Sequence, residues 1–266
     1  MSEVAAAGAL VWGTVSLRSY VVVFLAAFLV LAARDLGVRR AAACLVWGWA
    51  VAFAAEYAST RVGLPFGLYH YTGATVGREL YLSNVPLFDP LSFPFLAYAS
   101  WCLVRWASGR TEGVAAAGLS GILMMLLDVV IDPLAVRGER WFLGQIFFYP
   151  EGGVYFGVPL SNFFGWAIVG WVIVAGYVRV AAGSPPPRGS VRLGAGLYYG
   201  VFLFSWILTV WIGEPLLAAA GFLIHGALFL VFWKGFARRA MALVDAGSDW
   251  RSPSGPREPE GATSTS

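Results

Sequence analysis

Seven apolar runs alternate with polar segments along the chain, at about 16–33, 41–58, 87–107, 114–136, 161–182, 193–212 and 215–233. A helix that crosses a bilayer needs roughly 20 mostly apolar residues. The pattern therefore predicts an all-α, polytopic integral membrane helix bundle of about seven spans. Gly213-Glu214-Pro215 alone separates the last two runs, so they form a tight helical hairpin or one broken element. Pro86, Pro90 and Pro94 recur at the start of the third run, and Pro94 cannot continue an ideal helix without losing a backbone bond. That span is expected to be kinked or to start late. The first run is too long, and too weakly marked by a cleavage site, to be a signal peptide. A Ser-, Pro-, Gly- and Glu-rich tail over 245–266 reads as disordered, leaving 1–244 as a single helical domain.

Composition agrees with the pattern. Of 266 residues, 59% are hydrophobic and 12% charged, with a mean hydropathy of +0.71. A soluble domain is nearer 45–50% apolar and about 25% charged. The balance excludes a soluble enzyme, a nucleic-acid binder and a disordered chain. The two cysteines, Cys44 and Cys102, lie inside apolar runs and read as buried thiols. Basic residues set orientation. Arg34, Arg39, Arg40, Arg105, Arg110, Arg179, Arg188, Arg192, Lys234, Arg238 and Arg239 fall on one side. Arg18, Arg61, Arg78, Arg137 and Arg140 fall on the other. The positive-inside rule puts the larger set and the C-terminus in the cytoplasm and the N-terminus outside. The long loops 59–86 and 137–160 are then non-cytoplasmic. A multi-pass protein of the cell membrane is the expectation, with membrane lipid as its surroundings.

Five acids stand within or at the ends of apolar runs: Glu56, Asp89, Asp128, Asp132 and Glu214. A charged Asp at a helix centre costs about 2.5–3.5 kcal/mol even on the lenient insertion scale, so such residues face the bundle interior. Asp128 and Asp132 are four apart in LLDVVIDP and share a helix face. Pro133 biases Asp132 towards a helix end. Glu56 lies near the same end of its own span. Structural ion pairs, Glu56–Arg61 and Asp132–Arg137, are the plain alternative. Glu214 reads as a turn residue and Asp89 as an N-cap ahead of Pro90.

Aromatics are abundant, with 12 Trp, 11 Tyr and 19 Phe. Interfacial belts account for many of them. They account less well for FGLYHY (66–71) and FFYPEGGVYFGVPLSNFFGW (147–166), which concentrate Tyr69, Tyr71, Tyr149, Tyr155, Phe156, Asn162, Phe163, Phe164 and Trp166. Aromatic faces stabilise a cation or grip a flat conjugated hydrocarbon. His70 and His225 are the two histidines, too few for a di-iron site, and each reads as a hydrogen-bonding residue. No nucleotide motif is visible. The sole lysine, Lys234, is not mid-helix, which argues against a retinal Schiff base. Carboxylic acids and aromatics in an apolar environment suit acid–base chemistry on a lipid, with neither metal nor cofactor. Hydration of an isolated alkene fits: an acid protonates the less substituted carbon, and a positioned water captures the tertiary cation.

The blocks EYASTRVGLPFGLYHYT (56–72), VPLFDPLSFPFLAYASW (85–101), DVVIDPLAV (128–136) with Trp141, and YFGVPLSNFFGW (155–166) resemble the carotenoid biosynthesis family of integral-membrane, CruF-type carotenoid hydratases. The resemblance covers about residues 40–235. The resemblance implies hydration of the terminal isopropylidene group of an acyclic carotenoid, C40 or C50, to a tertiary alcohol. Other carotenoid-pathway enzymes are its implied partners. Matching polar positions are Glu56, Arg61, Tyr69, Tyr71, Asp89, Asp128, Asp132, Tyr155 and Asn162. From residue chemistry, Asp128 is the expected buried acid, with Asp132 and Glu56 holding water or the cation. Arg61 is expected to tune Glu56. Tyr155, Asn162 and Trp166 are expected to line the pocket, and Gly63, Pro65 and Gly67 to shape its loop. A carotenoid end-group cyclase or isomerase, and a transporter or lipid-binding protein, are the competing readings.

Overall fold

A computed structural model describes residues 3–109, 113–182 and 190–249, with side chains as far as Trp233. The tail from residue 250, and Arg110 and Arg188 of the basic set, lie outside the described residues. The described residues form eight α-helices: α1 (Glu3–Leu17), α2 (Ser19–Leu36), α3 (Val38–Val62), α4 (Ser92–Ser108), α5 (Val114–Ala135), α6 (Leu160–Ala181), α7 (Ser190–Trp211) and α8 (Pro215–Asp249). Helices α2 to α8 answer to the seven apolar runs. Six of them, all but α4, are long and apolar enough to cross a membrane.

Helix α4 starts late, as its prolines foreshadow. Pro94 occupies its first turn, where the missing N–H costs nothing. Fourteen of its 17 residues are buried, and it touches α2, α3, α5, α6, α7 and α8. It is the axis of the bundle, and protein surrounds it. That protection explains how a 17-residue helix carrying Arg105 fits. Arg105 pairs through Nη2 with Asp35 of α2 at 3.1 Å, and both are buried. Around the axis, α2, α3, α6, α5 and α7 close a ring, with α8 packed on α5 and α7. The outer faces of these helices carry Val23, Val46, Ile168, Leu203 and, on α8, Leu223, all exposed, as a lipid-facing surface requires.

Helices α5 and α6 pack most closely, because Gly121 of α5 lies against Gly170 of α6. Small residues let backbones approach in this way. Cys44 and Cys102 are free and buried, as expected.

The first run differs from expectation. It breaks at Arg18, whose backbone leaves helical geometry (φ −107°, ψ 32°), so α1 is a separate short helix. The break turns the Arg18 guanidinium into the bundle, where it is 3% exposed.

Both long loops cover the same end of the bundle, and they are joined. Strand β1 (His70–Tyr71) pairs antiparallel with β4 (Phe147–Phe148), matching His70 with Phe148 and Tyr71 with Phe147. Strands β2 (Tyr81–Leu82) and β3 (Val85–Pro86) form a hairpin. Gly63 ends α3 in the left-handed conformation (φ 73°). Gly67, also at positive φ, leaves room for Ser161 and Pro159 at the start of α6.

Candidate active site

Beneath this roof lies a cavity of about 140 Å³. The polar residues of its lining are Glu56, Asp89, Asp132, Asn162 and Arg18. Aromatic rings line it as well: Phe66, Tyr69, Tyr71, Phe93, Tyr149 and Trp166. Tyr20, Phe24, Phe95 and Phe204, from α2, α4 and α7, complete its apolar lining.

One wall comes from α5 and α6. The four-residue spacing puts Asp128 and Asp132 on one face, as the sequence predicts. Asn162, in the first turn of α6, donates from Nδ2 to Oδ2 of Asp128 at 2.7 Å and to Oδ2 of Asp132 at 2.8 Å. Trp166, one helical turn on, donates its indole N–H to Asp132 at 3.3 Å. Its ring stacks on Phe93, with centroids 4.3 Å apart. Asp132 faces the cavity. Asp128 is fully buried behind it, outside the lining, and its Oδ1 has no hydrogen-bond partner.

The other wall comes from α3, the roof and the α1–α2 junction. Glu56 is buried and accepts the Tyr71 hydroxyl at 2.8 Å. Alternation in β1 sends Tyr69 and Tyr71 to the cavity and leaves His70 exposed against Phe148. Burial, reinforced by the Glu56 charge, holds both phenols well above the ordinary range, so they remain neutral donors. Arg18 binds Glu79 through Nε at 2.9 Å and Nη2 at 3.2 Å, and Asp89 through Nη1 at 2.7 Å. Burial pushes the Asp89 carboxyl up to about 6, against the opposing pull of Arg18.

Several expectations need correcting. Asp89 does not cap α4, whose N-cap is Leu91 with no side-chain bond, because Arg18 claims its carboxylate. Arg61 does not reach Glu56: five residues along a helix point roughly 140° apart. It bonds Asn84 at 2.8 Å and Ser83 at 3.2 Å, and covers the Tyr57 ring. Arg61→Ala should therefore leave turnover within about threefold of wild type, the scale of an exposed polar contact; a product assay on isolated membranes checks this. Arg137 pairs with Glu214 at 3.1 Å, not with Asp132, so the Gly-Glu-Pro turn is tied to the roof. Tyr155 packs on Phe156 and Phe163 outside the lining, with its hydroxyl buried and unpaired. His225 lies between α7 and α8, stacked on Phe202 at 4.0 Å and bonded to the Gly221 carbonyl. No cluster of metal-ligating residues occurs among the described residues.

Arg18 and Glu79 look like ordinary loop charges in the sequence. Arg18 does carry a signal, standing alone between GTVSL and SYVVVF with no polar run to solvate it. Its partner is 61 residues away, beyond the reach of any local pattern.

Fold and site together define a multi-pass membrane helix bundle with an internal pocket of carboxyls and aromatic rings. The sequence model for carotenoid biosynthesis protein matches residues 16–228, and the chain belongs to that family. A bisanhydrobacterioruberin hydratase from Haloarcula japonica is 33% identical over 138 residues, which is 51% of this chain and 44% of that protein. The chain thus aligns with less than half the length of this relative. No solved structure matches.

Proposed function

We propose that the protein is a carotenoid hydratase of the cell membrane. It adds water across the terminal isopropylidene double bond of an acyclic carotenoid and yields a tertiary alcohol, without a cofactor. The observation that carries this reading is that Asp132 of α5 and Glu56 of α3 line one cavity together with a set of aromatic rings. The relative's name supports a hydratase. The apolar lining from α2, α4 and α7 suits a long apolar chain.

In this mechanism the Asp128–Asp132 pair stores the proton, because like charges this close disfavour double ionisation. Asp132, the member at the cavity surface, delivers it to the less substituted alkene carbon. The π electrons form the new C–H bond and leave a tertiary cation. Trp166 and Phe93, stacked side by side, offer π surface to that cation. A water held on the opposite wall attacks the cation and gives up a proton to a carboxylate there. Asn162 aligns both aspartates for the first step.

Expression in a lycopene-producing bacterium tests the reading. Extracted pigment should gain the mass of one water per hydrated end. Unchanged lycopene would overturn the proposal, and an isomer of unchanged mass would point to a cyclase or isomerase.

A further inference from the structure

The cavity is smaller than a carotenoid. An internal water needs about 10–15 Å³, so 140 Å³ has room for about ten waters, or about ten carbon groups of similar size. Most of a C40 chain must therefore lie outside the cavity while one end reacts.

Most ways out are closed. Along the bundle axis, one turn past Phe24, Phe28 of α2 meets Tyr98 of α4 edge to face at 5.3 Å, and neither is exposed. Asn162 and Trp166 tie α6 to α5 through the aspartates. Helix α8 packs over α5 and α7. From α3 the lining receives Glu56 alone, a buried carboxyl and a poor border for an apolar chain.

The seam between α2 and α7 is different. Its cavity side is made of Tyr20 and Phe24 from α2 and Phe204 from α7. The Tyr20 and Phe204 rings stack at 5.5 Å, and Phe24 meets Phe204 edge to face at 5.6 Å. All three are half-buried. Val23 and Ile207, three residues on from Tyr20 and Phe204, are exposed on the outer surface. These rings thus stand between the cavity and the surrounding lipid. Ring contacts tolerate several geometries, so they can part and re-form around another flat π surface. A polyene is such a surface.

We propose that the α2–α7 seam is the side passage of this site: the end group enters the cavity through it, and the rest of the polyene lies between Tyr20, Phe24 and Phe204 and extends into the bilayer. The inference rests on the hydratase reading, which supplies the long apolar substrate. It assigns Phe24 and Phe204 to binding the chain, away from the carboxyls that act on its end.

Site-specific photochemical capture in membranes containing the full chain tests the passage. A phenylalanine analogue bearing a diazirine replaces Phe204, Phe24, Ile168 or Leu223, one at a time. The last two are exposed on α6 and α8 and lie about as far from the same end of their helices as Phe204 does from the end of α7. Lycopene is added, light expels dinitrogen, and the carbene inserts into a nearby C–H bond. Mass analysis of the protein then counts bound lycopene. Capture should be strong at positions 204 and 24, and lost at 168 and 223, where lycopene meets the protein only by diffusing in the lipid. Position 24 keeps the test decisive should the protein altered at 204 fail to accumulate. Phe204→Trp, which adds bulk to the passage, should lower kcat/KM for lycopene about tenfold, the scale of one overpacked side chain. Capture at 168 or 223 equal to that at 204 and 24, in membranes whose wild-type protein hydrates lycopene, overturns the inference. A wild-type protein that leaves lycopene unchanged defeats the hydratase reading itself.

Discussion

Asp132→Asn is expected to reduce hydration by about a thousandfold, in the range for loss of a general acid, with no loss of protein from the membrane. The side chain keeps its size, and an amide oxygen can still accept from Asn162 and Trp166. What disappears is the proton aimed into the cavity. Asp128→Asn should cost much less, about tenfold, since Asp128 lies behind the lining and acts through its neighbour. Residue chemistry alone points to Asp128 as the acid; we propose Asp132 instead, because it lines the cavity and Asp128 does not. Comparing the two variants per unit of membrane protein decides between them: greater damage from Asp128→Asn would return the donor role to the deeper residue.

The second large effect falls on assembly. A Cβ on Gly121 would stand 2.3 Å from the Ala167 carbonyl oxygen and 2.7 Å from the Trp171 nitrogen, both backbone atoms that cannot swing aside. Gly121→Ala should thus force α5 and α6 apart and cost about 1–3 kcal/mol, as overpacking does. The same separation draws Asp128 and Asp132 away from Asn162 and Trp166, so activity should fall with stability. A Cβ on Gly118, on the same helix, would meet nothing within 4 Å. Gly118→Ala should be neutral or slightly stabilising, through helix propensity alone. Thermal melts of the two proteins in detergent make the comparison; equal melting temperatures would show that the α5–α6 seam tolerates spreading.

These residues also show what a single sequence carries. The span pattern is local, and it locates α3, α5, α6 and α7 to within a few residues. The cost of burying charge singles out Glu56, Asp128 and Asp132, and helical spacing joins the last two. The Tyr69–Tyr71 alternation is likewise visible in FGLYHY. Arg18, Glu79, Asp35 and Arg105 read as topology or loop charges, because only folding reveals that each has a buried partner 61 or 70 residues away. Arg61 shows the reverse error. Nearness to Glu56 in sequence suggests a pair that helix geometry forbids.

The short ladder between the two roof loops has a consequence for how this chain tolerates insertions and deletions. Tyr71 is held opposite Phe147, and Thr72 bonds the Ile146 carbonyl at 2.8 Å. Strand faces alternate with every residue, so a slip of one position exchanges the two sides. One residue added or removed in 142–146 would therefore turn Phe147 away from the cavity it lines and bring the exposed Phe148 into its place, although neither residue had changed. Length in this loop is thereby tied to the shape of the cavity, and indels there should succeed only in even steps.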